Sequence, residues 1–237
     1  MLLAVFGLNG QPQSPSTGQA KSREEYDAYL LVLSMSVPKE VIPAAENFER
    51  QWPSSELLAH VLELKLEAYR SLGDSSNAIL AGERALKAAP DNLLLLTNIA
   101  YIIASTSNDR QQLARAEHYA RRELELSTTI RIPKTISLTD WDEISGQQNS
   151  TAHAALGLVS YKRGDIAGAI KEFETAVKLA PVPDAAQYYR LGKLYRVSGN
   201  EVEAIRMFQR AVASNDSTIR PLAESELQSL GSKHGSN

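Results

Sequence analysis

The chain contains no cysteine, which excludes disulfides, thiolate nucleophiles, cysteine-ligated zinc and a lipid-bearing cysteine behind a signal peptide. It also lacks a surplus of either charge. Lys plus Arg number 25 against 28 Asp plus Glu, a net charge of -3, so the basic footprint of a nucleic-acid binder is missing and no nucleic-acid partner is expected. No apolar run approaches the ~20 residues that a membrane-spanning helix needs, so no membrane span is expected. The four histidines, His60, His118, His153 and His234, fall on separate predicted elements, and none is paired at metal-ligand spacing. The Gly73-Asp74 and Gly164-Asp165 steps lack the spaced glycines and lysine of a phosphate-binding loop and read as turns. No catalytic group, cofactor or metal is therefore expected. Proline is sparse at 10 of 237 residues, whereas alanine and leucine occur 30 times each and make up a quarter of the chain. Two strong helix formers at that density predict an all-α protein.

A repeat dominates what is present. Tyr188, Leu191-Gly192, Tyr195, Gly199, Ala204, Phe208 and Ala211 recur upstream as His153, Leu156-Gly157, Gly164, Ala169, Phe173 and Ala176, followed by Pro181. Gly157 to Gly192 and Ala169 to Ala204 are both 35 residues. Leu62, Leu66, Tyr69, Gly73, Ala78, Ala85 and Pro90 form a third copy, with the same twelve-residue step from Leu66 to Ala78.

These positions resemble the tetratricopeptide repeat, whose signature is W-x2-L-G-x2-Y, then A-x3-F, then A and P within about 34 residues. Tyr188 stands for the usual tryptophan, His153 and Leu62 do so less faithfully, and Ala78-x3-Gly82 lacks the aromatic. The resemblance implies a right-handed superhelical solenoid of antiparallel helix pairs. Small residues at Gly157, Gly192, Ala78, Ala169 and Ala204 would sit where two helices approach most closely, with Phe173, Phe208, Tyr69 and Tyr195 filling the space around them. Gly73, Gly164 and Gly199 would supply positive φ at the turns, and Pro53, Pro90 and Pro181 would close second helices.

About five hairpins are expected, at 22–53, 55–90, 92–126, 140–181 and 184–216, with a capping helix at 218–230. In the third, Ala100 to Ala116 is sixteen residues, which places a four-residue insertion in the turn around 105–110. The first is a degenerate repeat, its helices at 24–35 and 39–51 presenting Tyr26, Tyr29, Leu30 and Leu33 on one and Ile42, Ala45 and Phe48 on the other. Residues 127–150 break the rhythm and read as an insertion packed along the convex side. Within it Thr139, followed by Asp140, Asp142 and Glu143, suits a helix start, with Trp141 beginning an extension of the next helix. The acidic trio reads as a stabiliser of the helix dipole. Residues 1–21 read as a leader, the remnant of a signal peptide on an exported, periplasmic protein, with a cytoplasmic protein as the alternative. Residues 232–237 read as a flexible tail.

The resemblance also implies a concave groove lined by the first helix of each pair. The phase directs Glu63 and Glu67, then Asn98 and Tyr101, then Leu158 and Tyr161, then Tyr189, Arg190, Lys193 and Arg196 to that groove. The set runs from acidic to basic and would orient an extended peptide or a partner helix by complementary charge. Family members that clamp a terminal carboxylate use cations where Glu63 and Glu67 stand, so a clamp of that kind is not expected. The function expected is a non-enzymatic protein-binding module similar to bacterial envelope tetratricopeptide proteins. The alternative is a scaffold that forms a homo-oligomer through the 127–150 insertion or an end face.

Overall fold

A computed structural model describes residues 19–130, 132 and 136–234, the side chains of 232–234 excepted. The leader, apart from its last three residues, therefore lies outside the described residues, as do positions 235–237 of the tail. Eleven helices and no strand are found among the described residues: α1 (Arg23–Ser34), α2 (Pro38–Gln51), α3 (Leu58–Ser71), α4 (Ser75–Ala88), α5 (Leu93–Thr106), α6 (Arg110–Ser127), α7 (Leu138–Lys162), α8 (Ile166–Leu179), α9 (Ala185–Val197), α10 (Glu201–Ala213) and α11 (Ile219–His234).

Local chemistry accounts for where these helices start and stop. Ser22, Asp74, Asp109, Ser137, Asp165, Asp184 and Asn200 each precede a helix, and each side chain accepts a hydrogen bond from the backbone N–H three residues on. Pro53, Pro90 and Pro181 each stand two residues beyond a helix end, where the ladder has already stopped. Gly73, Gly164 and Gly199 take φ of 75°, 82° and 83° in the turns inside three hairpins, the left-handed region that penalises a Cβ.

The chain divides into two compact units, Met1–Leu95 and Leu96–Asn237. In the first, α1 packs on α2 and α3, and α3 packs on α2 and α4. Its core gathers Tyr29, Val32, Val41, Ala45, Phe48, Leu57, Val61 and Ala68. The buried side of α1 is thus Glu25, Tyr29 and Val32, while Tyr26 and Leu30, expected on that side, are exposed. The correction is one of helical phase: two tyrosines and two leucines on a short helix fit two overlapping faces, and the one with Val32 wins.

In the second unit α6 packs on α7, α7 on α8, α8 on α9 and α9 on α10, with α11 against α9 and α10. The expected close approaches are present. A Cβ built on Gly157 would lie 2.7 Å from the Phe173 ring, and one on Gly192 would lie 2.7 Å from the Phe208 ring. Phe173 and Phe208 are fully buried over those glycines, and Ala169 and Ala204 have no exposed surface.

One expectation about the irregular segments is corrected, and another is sharpened. The four extra residues between Ala100 and Ala116 do not lengthen the turn, which is three residues in this hairpin (107–109) as in the 72–74 connection. They lengthen the helices instead, so that α6 has 18 residues where α4 has 14. The helix start expected near Thr139 inside the 127–150 insertion is present. Ser137 caps a 25-residue α7 that takes up 138–150 as helix, starting two residues ahead of the Asp140 at which the expected hairpin began. The C-terminal helix also runs further than expected, through His234.

Candidate functional site

The expected groove residues divide between the two units. Glu63 and Glu67 belong to the first, and neither is an open binding group. Glu63 is only 6% exposed, because the α3 face on which it lies with His60 is covered. The Tyr29 hydroxyl and His60 Nδ1 are 2.6 Å apart. Burial holds His60 below the usual histidine range, and it pushes Tyr29 up to about 12. Burial, assisted by the Glu67 charge, pushes Glu63 up to about 7. Glu67 accepts from Arg70 at 2.6 Å. Nearby, Lys65 is buried with its ammonium 3.3 Å from Glu46 and 3.8 Å from Glu49. The acidic end foreseen from sequence is therefore a covered, internally engaged face.

The other eight residues lie in the second unit, and several engage one another. Arg190 on α9 donates through Nη1 to the Tyr101 hydroxyl on α5 at 2.7 Å, with its guanidinium carbon 5.8 Å from the Tyr101 ring centre. Tyr101, Leu158 and Tyr189 are partly buried against the unit's core, and the Tyr189 ring lies 5.8 Å from Phe208. Asn98 is half-buried. Tyr161, one turn beyond Leu158 on α7, stands out at 51% exposed.

The basic end is also engaged, and its charge is reduced. Lys193 lies 2.8 Å from Glu226 of α11, Arg196 forms a second ion pair with the same carboxylate, and Arg196 Nη2 donates to Ser229 Oγ at 3.2 Å. Burial raises the Glu226 pKa, but the hydrogen bonds from Lys193 and Arg196 outweigh it and hold the carboxyl below its ordinary value. The helix foreseen as a cap thus engages both cations foreseen as ligands with a single carboxylate, which halves their charge without cancelling it.

Sequence reasoning missed three further arrangements in this unit. Lys162, the last residue of α7, donates to the carbonyls of Ser105 and Ser107 at 3.2 and 2.7 Å, satisfying oxygens at and just past the end of α5. Gln187 donates to Ser150 Oγ at 3.0 Å inside the unit. Glu123 of α6 is 0% exposed, and neither carboxylate oxygen has a hydrogen-bond partner among the described residues. Burial pushes its pKa up to about 8. The repeat register carried a signal for this last residue. Glu123 follows Ala116 by seven positions, as Ala85 follows Ala78, Ala176 follows Ala169 and Ala211 follows Ala204, so a carboxylate occupies a packing position that is alanine in three other hairpins.

Among the described residues, no group of three or more His, Asp or Glu side chains could hold a metal ion, and no helix is long and apolar enough to cross a membrane. The helix order and the glycine and alanine contacts define an all-α helical repeat fold. The tetratricopeptide repeat family model matches residues 59–92 and 150–183, which span α3–α4 and α7–α8. The chain accordingly carries tetratricopeptide repeats at these two helix pairs.

Similar solved structures agree on the fold. Residues 41 to the end of MamA from Desulfovibrio magneticus RS-1 superpose with a TM-score of 0.61 at 14% identity, covering 83% of this chain and 97% of that one. BtubC from P. vanneervenii gives 0.56 at 17% identity, covering 81% and 78%. A thermophilic tetratricopeptide-repeat protein of Thermus thermophilus gives 0.51 at 16%, covering 87% and 98%. No curated protein sequence matches the chain significantly. Repeats of this family are protein-interaction modules, generally without catalytic activity of their own.

Proposed function

We propose that this protein is a non-enzymatic interaction module that takes an extended peptide or a helix of a partner protein on the α5–α7–α9 face of its second unit. The observation that carries this reading is Tyr161. It is a large aromatic, half exposed, one turn from Leu158 on a helix whose neighbouring face residues are pinned by the Tyr101–Arg190 contact. Rigid aromatics of this kind lose little conformational freedom on binding and are enriched among residues that dominate interface energies. Tyr101 and Arg190 form the rigid floor, while Lys193 and Arg196, which share the one Glu226 carboxylate, keep a net positive charge at the α9 end of the face.

The test is affinity capture from the source cell with the full chain and with Tyr161→Ala as parallel baits, followed by mass spectrometry. A partner retained by the former and lost from the latter supports the reading. Equal retention removes this face from consideration. A scaffold role is the second reading, favoured by apolar side chains exposed around the α6–α7 connection: Ile130, Ile132 and Leu138, the last 68% exposed. Light scattering across a wide concentration range decides it, since a constant monomer mass argues against self-assembly.

A further inference from the structure

Charge is unevenly placed along this chain. The whole carries -3, yet the helices that form the second unit's face hold no acidic residue: none in α5, none in α7 from Ile144 onward, and none in α9. Three cations stand on α9, Arg190, Lys193 and Arg196. Their three-residue steps keep each within about 60° of the next around the helix.

Their partners do not cancel them. Arg190 meets a neutral hydroxyl and a ring, both of Tyr101, and no carboxylate among the described residues pairs with it. Lys193 and Arg196 share Glu226. Other carboxylates on the helices packed against α9 are engaged elsewhere: Glu174 with the Tyr195 hydroxyl, Glu203 with Arg206, and Glu224 with Arg220. Three cations against one carboxylate leave a formal charge of +2. It is open to solvent, since the Lys193 and Arg196 side chains are 46% and 29% exposed.

The repeat register sets an apolar strip alongside. At the 35-residue step that relates Gly157 to Gly192, Tyr161 of α7 holds the position of Arg196 in α9, and Leu158 holds that of Lys193. The two helices are tied directly by the hydrogen bond from Gln187 to Ser150. One face therefore offers an exposed aromatic and an aliphatic side chain on α7 and uncompensated cations at the matching positions of α9. The complement of such a face is a segment that carries carboxylates next to an apolar residue, and the long-range field of the cations would steer and orient its approach. A phosphate backbone fits less well, because its affinity comes from many phosphates neutralised in a row.

We propose that the partner segment is acidic: an internal stretch of protein with two or more Asp or Glu side chains that pair with the α9 cations, and with an apolar side chain set on Tyr161 and Leu158. This rests on the reading of the face given above.

The test is titration calorimetry of the full chain with short synthetic peptides, acetylated and amidated so that only side chains carry charge. One alternates pairs of glutamate with leucine and phenylalanine, a second replaces every glutamate by glutamine, and a third by lysine. The glutamate peptide should bind about three- to tenfold more tightly than the glutamine peptide at low salt, and the lysine peptide most weakly. The preference should disappear toward about 1 M salt, where screening acts over ~3 Å. Glu226→Gln should widen it. Lys193→Gln, Arg196→Gln and Glu226→Gln combined, which strand no carboxylate, should narrow it. Equal binding of the glutamate and glutamine peptides, both lost in Tyr161→Ala, overturns the acidic partner and leaves the face standing. No binding by any peptide, or binding untouched by Tyr161→Ala, overturns the face and the proposal together. An oligothymidylate of equal charge that binds more tightly than the glutamate peptide overturns the proposal in favour of nucleic acid. If the combined variant fails to fold by circular dichroism, the glutamate-to-glutamine comparison and its salt dependence decide alone.

Discussion

Glu123→Gln should make the second unit more stable, increasingly so as pH rises. The carboxyl is fully covered and without hydrogen-bond partners among the described residues, and its pKa moves from 4.5 to about 8 on folding. Between those values the folded chain holds a proton that the unfolded chain has released, so this residue's contribution to stability falls as pH rises and levels off above about 8. At about 1.4 kcal/mol for each pH unit crossed, the cost reaches roughly 3 kcal/mol at pH 7. Glutamine has nearly the same shape and does not titrate, so the variant should exceed the parent by an amount of that order at pH 7 and approach it near pH 4.5. Urea titrations at several pH values between 4.5 and 8.5 measure the difference. A Trp52→Phe background leaves Trp141 on α7 to follow the second unit alone. Other titrating groups, Glu63 among them, are common to both chains and cancel. Parallel stability curves for parent and variant across that range would refute the reasoning, because they would mean that Glu123 ionises in the folded state at no cost.

Gly157→Ala and Gly192→Ala should each destabilise by about 1–3 kcal/mol in urea, since the added methyl meets a buried phenylalanine ring at 2.7 Å. Phe173→Leu should recover part of the Gly157→Ala loss, and strict additivity of the two changes would count against a direct clash. Lys162→Met keeps the aliphatic stem but removes the donor to two carbonyls. It should cost on the order of 1–3 kcal/mol and speed amide exchange at the end of α5, with unchanged exchange arguing against the staple. Glu226→Gln removes the shared partner of Lys193 and Arg196, so exchange along α11 should rise. The basic residues should then bind an acidic peptide more tightly than the parent does, measurable by titration calorimetry.

Much of the fold was legible because a repeat overdetermines itself. Gly157 and Gly192, or Ala169 and Ala204, are each constrained by a neighbouring helix, and the same constraint recurring 35 residues later separates packing positions from chance. Turn glycines and trailing prolines were legible for a similar reason: backbone geometry limits which residues fit. The binding face was less so. Helical phase assigns a residue to a side of its helix but not to what covers that side, which is how Glu63 was placed in a groove and found buried. Long-range partners leave no local trace. Arg190 and Tyr101 are 89 residues apart, and Glu226 meets Arg196 across 30. Glu123 was legible in principle, since register alone sets it against three alanines, but it interrupts a pattern and an interruption is easily taken for drift.

The third hairpin absorbs its four additional residues within its helices while its connection stays at three. One of the four follows Ala100 at the end of α5, and the other three precede Ala116 at the start of α6. Three residues turn a helix by about 300°, within about 60° of a full turn, so Leu113 and Ala116 still face inward and both are buried. Changes of length in such an array are in effect quantised, and the helical turn is the unit in which it can grow without losing its interior.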